Sequence, residues 1–145
     1  MAAGVPLTDT DRWDWLVALR EKAVEELFEN NASGVVLTCS ALKSKYRDVI
    51  RIITYNHHDV VVRFVYLRAN EEVLLQRVKA RKGHYMKEDM VHSQFSSLEE
   101  PELDEETDCL VIDVGAPEAE VQKRSLAAVQ AILAKDGAAL ARESL

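Results

Sequence analysis

Three short apolar runs, at residues 35–39, 60–67 and 109–114, each precede a stretch with helical spacing, and this alternation most limits the folds open to the chain. A short continuous apolar run is the pattern of a strand buried on both faces. Strands that alternate with helices need crossover connections, so an α/β fold with a parallel sheet flanked by helices is expected. Ahead of the first run, Thr8 and Asp11 can cap a helix whose Leu16, Leu19, Ala23 and Leu27 recur on one face to about Glu29, and the turn from Asn30 to Gly34 ends it. Further helices are expected over 43–53, over 71–82 with Asn70 as cap and Leu74, Leu75 and Val78 on the apolar side, and over 86–97. A last helix starts at Pro117 and carries Val121, Val129, Ile132 and Leu133. Arg63 interrupts the second apolar run, Gly83 stops a helix, and the acidic stretch 101–108 is suited to a hinge or lid.

With 145 residues, 48% of them hydrophobic, the chain suffices for a single domain spanning 1–145 with a sizeable core. No apolar run approaches the ~20 residues needed to cross a bilayer, and the N-terminus lacks a secretory layout, so a soluble cytoplasmic protein with no membrane partner is expected. Cys39 and Cys109 lie in apolar runs and are expected as buried thiols rather than a disulfide. There is no Cys-x-x-Cys and no His pair at helical ligand spacing, so no protein metal site is expected, and His57 and His58 suit a solvated loop. A net charge of −7 argues against nucleic acid as a partner. The cations Arg77, Lys79, Arg81, Lys82 and His84 are nevertheless clustered while much of the acid lies in 99–108, a pattern that suits a small anionic ligand.

The chemistry concentrates in the run from Thr38 to Arg47, where an apolar stretch stops in a polar turn and continues as a cationic helix. Ligands in open α/β sheets bind outside the carboxyl ends of strands, which makes Ser40, Lys43 and Arg47 candidates for gripping an anion. The planar fork of Arg47 can hold a carboxylate bidentately. The alternatives are a surface salt bridge of Arg47 with Asp48 or Glu26, and a helix-capping role for Ser40. Arg77 and Arg81, four apart, share a helix face and can converge on phosphates, or simply complement the macrodipole of a last helical turn. Asp9, Asp11 and Arg12 precede a helix, where capping accounts for Thr8 and Asp11 alone. Trp13 and Trp15 are expected as core and rim packing.

Four stretches in order carry a family resemblance: Gly4-Val5-Pro6-Leu7-Thr8-Asp9-Thr10-Asp11-Arg12 with Trp15-Leu16; Cys39-Ser40-Ala41-Leu42-Lys43 followed by Tyr46-Arg47-Asp48; Arg77 to Met86; and Ser93-Gln94-Phe95-Ser96-Ser97-Leu98-Glu99. Together they resemble the thermoresistant-type gluconokinases, small phosphotransferases of the nucleoside-monophosphate-kinase-like group. The resemblance implies a P-loop-kinase-like three-layer sandwich, transfer of the γ-phosphoryl of ATP to the 6-hydroxyl of D-gluconate with Mg²⁺, and entry of the product into the pentose phosphate route. It implies a lid over about 77–97 in which Arg77 and Arg81 act on the phosphates, and contacts to the substrate from Arg12, Ser40, Lys43, Arg47, His84 and Gln94. D-gluconate is the implied partner, with a homodimer left open. The family's G-x-x-x-x-G-K-[ST] phosphate loop is not in this sequence: none of the five glycines, at 4, 34, 83, 115 and 137, starts that pattern. The chain therefore resembles a family member that lacks the first strand, phosphate loop and first helix and begins about a quarter of the way in, through a misplaced start codon or a real short form. A strand-borne catalytic base is missing with it. The rival expectation is a non-catalytic relative that binds gluconate or a protein partner.

Overall fold

The computed structural model describes residues 8–80 and 88–143. Helix α1 spans Asp9–Phe28 and is closed at its start by a reciprocal capping box, in which Thr8 accepts from the Asp11 amide and the Asp11 carboxylate accepts from the Thr8 amide. Leu16 and Ala23 are its buried positions. Helix α2 (Ser44–Arg51) buries Tyr46, Arg47, Val49 and Ile50, and after Ile52 the short α3 (Ile53–Asn56) turns away. Strand β1 (Phe64–Arg68) is followed by α4 (Glu71–Ala80), α5 (Glu88–Ser96), β2 (Cys109–Asp113) and the long α6 (Glu118–Glu143). The Asn70 side chain accepts from the Val73 amide and caps α4, as its sequence position implies.

Strands β1 and β2 pair in parallel, with Phe64 opposite Cys109 and Arg68 opposite Asp113. Alternation along β1 sends Phe64 and Tyr66 to one face and Val65 and Leu67 to the other. Phe64 and Val62 pack on the cluster of Leu16, Tyr46, Val49 and Ile50, so α1, α2 and the sheet share one core. Helix α6 contacts β2 and is tied to the residue before β1 by an ion pair between Arg63 and Asp136. That pair explains how the chain accommodates a cation inside an apolar run.

The parallel α/β class is therefore present, with differences in detail. The expected strand at 35–39 does not form: among the described residues nothing pairs with it, Val36 is 93% exposed, and Cys39 is exposed rather than buried. An apolar run becomes a strand only when a neighbour supplies its ladder bonds, and the only sheet among the described residues has two strands. The second strand begins four residues later than expected, at Phe64. Trp13 and Trp15, 43% and 46% exposed, are rim residues and not core. His57 is not freely solvated; its ring stacks on Phe28 with centroids 4.2 Å apart. The acidic stretch 101–108 is no loose hinge, because Glu106 and Asp108 are held by arginines of α2.

Candidate substrate site

The cations of the run 38–51 divide into two groups that point in different directions. Arg47 turns inward, with 4% of its side chain exposed. Its Nε donates to Glu106 Oε2 at 2.6 Å, its Nη2 donates to the other Glu106 oxygen, and its Nη1 donates to the carbonyls of Ala41 and Glu99 at 3.0 and 3.1 Å. Arg51 lies beside it, bidentate to Asp108 at 2.7 and 2.8 Å, bonded to Glu106 at 2.6 Å, and placed 4.8 Å from the Phe64 ring centre. The Arg47 hydrogen bonds, followed by those of Arg51, hold the Glu106 carboxyl down at about 2. The nearby Cys109 thiol is pushed up to about 11, by burial first and then by Asp108 and Glu106, and stays protonated and inert.

In this geometry the Arg47 fork, expected to grip a ligand carboxylate, is turned to internal acceptors. All three of its nitrogens serve internal acceptors, and neither expected surface partner, Asp48 or Glu26, is among them. The carboxylate it binds bidentately is Glu106, 59 residues away. The network ties α2 to the loop before β2, and the Glu99 carboxylate closes the start of α2 by accepting from the Ser44 amide at 2.8 Å. Ser40 is thus not the cap of α2; it is exposed, and its carbonyl accepts from Leu42.

The second group faces water. Lys43 and Lys45, at the start of α2, both reach the Asp9 carboxylate of α1, Lys43 at 3.2 Å, and the hydroxyl of Tyr46 donates to the same carboxylate. Arg12, Lys43 and Lys45 lie 5.9, 5.7 and 5.8 Å from the Tyr46 ring centre. Hydrogen bonds from Lys45, then Tyr46, then Lys43 depress the Asp9 carboxyl far below the usual range. Burial, and then the Asp9 hydrogen bond, push the Tyr46 phenol upward. Tyr46 itself is only 2% exposed, so its hydroxyl is a fixed donor at the edge of an open cationic cluster. Of the expected site residues, Arg12 and Lys43 come together here. Lys45, Tyr46 and the anchoring role of Asp9 are additions from the structure, although Asp9 and Tyr46 both lie in the motifs that carry the resemblance.

The remaining candidates lie elsewhere. Arg77 donates to the carbonyls of Val114 and Ala116, linking α4 to the end of β2. Gln94 is half-buried on α5. Arg81 and His84 lie outside the described residues. Helices α4 and α5 are in contact and are joined by His92 and Glu71 at 2.9 Å. The described residues offer no cluster of three or more unpaired carboxylate, imidazole or thiolate ligands for a hard cation such as Mg²⁺. The one grouping of potential ligands there, Glu106, Asp108 and Cys109, has its carboxylates paired with Arg47 and Arg51 and its thiol protonated.

Comparison with known proteins decides the family. No family model matches the chain. The thermosensitive gluconokinase of Escherichia coli is 37% identical over 144 residues, which cover 96% of this chain and 73% of that protein. The chain belongs to the gluconokinase family. A probable gluconokinase of Schizosaccharomyces pombe is 47% identical over 114 residues, covering 79% of this chain and 58% of its own length. The thermoresistant gluconokinase of E. coli is 44% identical over 117 residues, covering 81% and 62%. This gluconokinase-family chain thus spans only about six-tenths of those two relatives. A gluconokinase crystal structure from Sinorhizobium meliloti 1021 superposes with a TM-score of 0.74 at 36% identity, covering 94% of this chain and 70% of that one. The family's α/β kinase-like fold is therefore shared. No described helix is long and apolar enough to cross a membrane.

Proposed function

We propose that the chain contributes the acceptor-binding part of a gluconokinase, which transfers the γ-phosphoryl of ATP to the 6-hydroxyl of D-gluconate. The single observation that carries this reading beyond family membership is the half-open cluster in which Lys43, Lys45 and the Tyr46 hydroxyl converge on one carboxylate, with Arg12 beside the same ring. Those groups suit a ligand carboxylate. In this reading residues 1–145 form one domain and 77–97 act as a lid that brings Arg81, His84 and Gln94 over the phosphates and acceptor, with Arg77 exchanging the Val114 and Ala116 carbonyls for the phosphates as it closes. A preorganised cation near the transferring group stabilises charge only if water is excluded, which is the task such a lid performs. Mg²⁺ accompanies ATP in this reaction.

The missing G-x-x-x-x-G-K-[ST] pattern favours a second reading for these 145 residues taken alone, that of a gluconate binder without turnover. A coupled ADP-release assay separates the two. The 145-residue chain should show no ATP- and gluconate-dependent turnover, whereas a version extended by a strand, phosphate loop and helix should gain it and lose it again on Lys43→Ala. Turnover by the 145 residues alone would overturn the assignment of the phosphate cradle to sequence outside them.

A further inference from the structure

We propose that Asp9 is an internal counter-ion of the sugar-acid site, holding Lys43, Lys45 and Tyr46 in place without ligand and giving up these donors to the carboxylate of an incoming anion. This rests on the reading of that cluster as the acceptor site.

Asp9 is in the first turn of α1, but the capping there is complete without it, because Thr8 and Asp11 satisfy each other. Its carboxylate instead takes donors from residues 34 to 37 positions away, at the head of another helix. Two ammonium groups and a guanidinium gathered around one ring repel one another, and a single carboxylate between the ammoniums makes the gathering tolerable. The contrast with Glu106 is in exposure: the Glu106 side chain is 12% exposed and closed in by two arginines, whereas Asp9 is 49% exposed and the lysines facing it 26% and 49%. A ligand can therefore reach the donors of Asp9, and the fixed Tyr46 hydroxyl keeps their arrangement when the acceptor changes. A ligand carboxylate offers the same two oxygens, and two carboxylates on one donor set repel each other. Asp9 thus lowers affinity for every anion and leaves neutral polyols without a counterpart for the lysines.

The test is calorimetric titration of the 145-residue chain and its Asp9→Asn variant with D-gluconate, sodium sulfate and sorbitol at one low ionic strength, with thermal melts to confirm folding. The amide keeps an acceptor for Tyr46 and removes the charge. The Asp9→Asn protein should bind gluconate and sulfate several-fold more tightly than wild type, with sorbitol unchanged, and Asp9→Glu should return wild-type affinities. Equal or weaker anion binding by the folded Asp9→Asn variant overturns the proposal. Tighter sulfate binding with no gluconate binding by either protein keeps the counter-ion and removes the sugar-acid reading; equal gluconate binding by both does the reverse. Should the variant not fold, the carboxyl ¹³C resonance of Asp9 in wild type decides, since it must shift as gluconate saturates and an unmoved signal contradicts displacement.

Discussion

Arg47 and Lys43 stand four residues apart at the head of the same helix, and the structure uses them in opposite ways. Arg47 is enclosed with Glu106 and two backbone carbonyls, while Lys43 faces solvent beside Lys45, paired with the half-exposed Asp9. A buried guanidinium needs every donor satisfied, so enclosure turns a potential ligand-binding fork into a structural clamp between α2 and the loop before β2. A flexible ammonium at a helix start remains available because water shares its solvation. Cationic motifs are therefore divided by burial, and the outward half is where a ligand can compete.

The strongest way to break this comparison is to remove the clamp. Arg47→Ala leaves Glu106 buried without its main partner, and breaking a buried pair costs about 3–5 kcal/mol, a large part of the stability of a small domain. Urea unfolding followed by circular dichroism should show that loss. Wild-type stability with weakened gluconate binding would return Arg47 to the role of a ligand. Leu16→Ala, at the centre of the shared core, should cost about 2–5 kcal/mol by the same measurement, through lost burial and the cavity left behind.

Acid sharpens the comparison in a different way. The Glu106 carboxyl is held at about 2 in the folded protein, below its usual 4.5. Its contribution to stability is therefore fully present above about 4.5 and is lost as pH falls through that range toward about 2. Glu106→Gln should flatten the acid side of the stability curve relative to wild type, measured by denaturant midpoints at stepped pH. A parallel decline in both proteins would mean that the clamp does not titrate as described. The smallest stability effect is expected for Lys43→Ala, whose pair with Asp9 is screened by water; its melting temperature should stay close to wild type while gluconate binding weakens. A large drop in melting temperature would make Lys43 a second structural clamp.

How much of this is legible in the sequence follows from the range of each interaction. The helices announce themselves through local signals such as the Thr8 and Asp11 box and Asn70, which act within three residues. The run 35–39 has strand composition, yet a strand depends on neighbours, and the residues that would pair with it are not specified by its own pattern. The internal partner of Arg47 is not legible in the sequence because it lies 59 positions away, in a loop whose acidity resembles ordinary solvation. Asp9 and Tyr46 are visible as motif residues, but their meeting across 37 positions depends on how α1 packs on α2. Arg12 is a candidate through its place in a family motif, and Lys43 because the turn before a cationic helix is where anions are bound in such folds.

The central claim is that ligand-facing and framework cations separate at the head of α2, and side-chain NMR on uniformly ¹⁵N-labelled protein titrated with D-gluconate tests it most directly. The Nζ resonances of Lys43 and Lys45 and the Nε of Arg12 should move with a common binding constant, while the Nε–H of Arg47 stays fixed and protected from exchange. A gluconate-dependent shift of Arg47 that exceeds those of the two lysines would contradict the account.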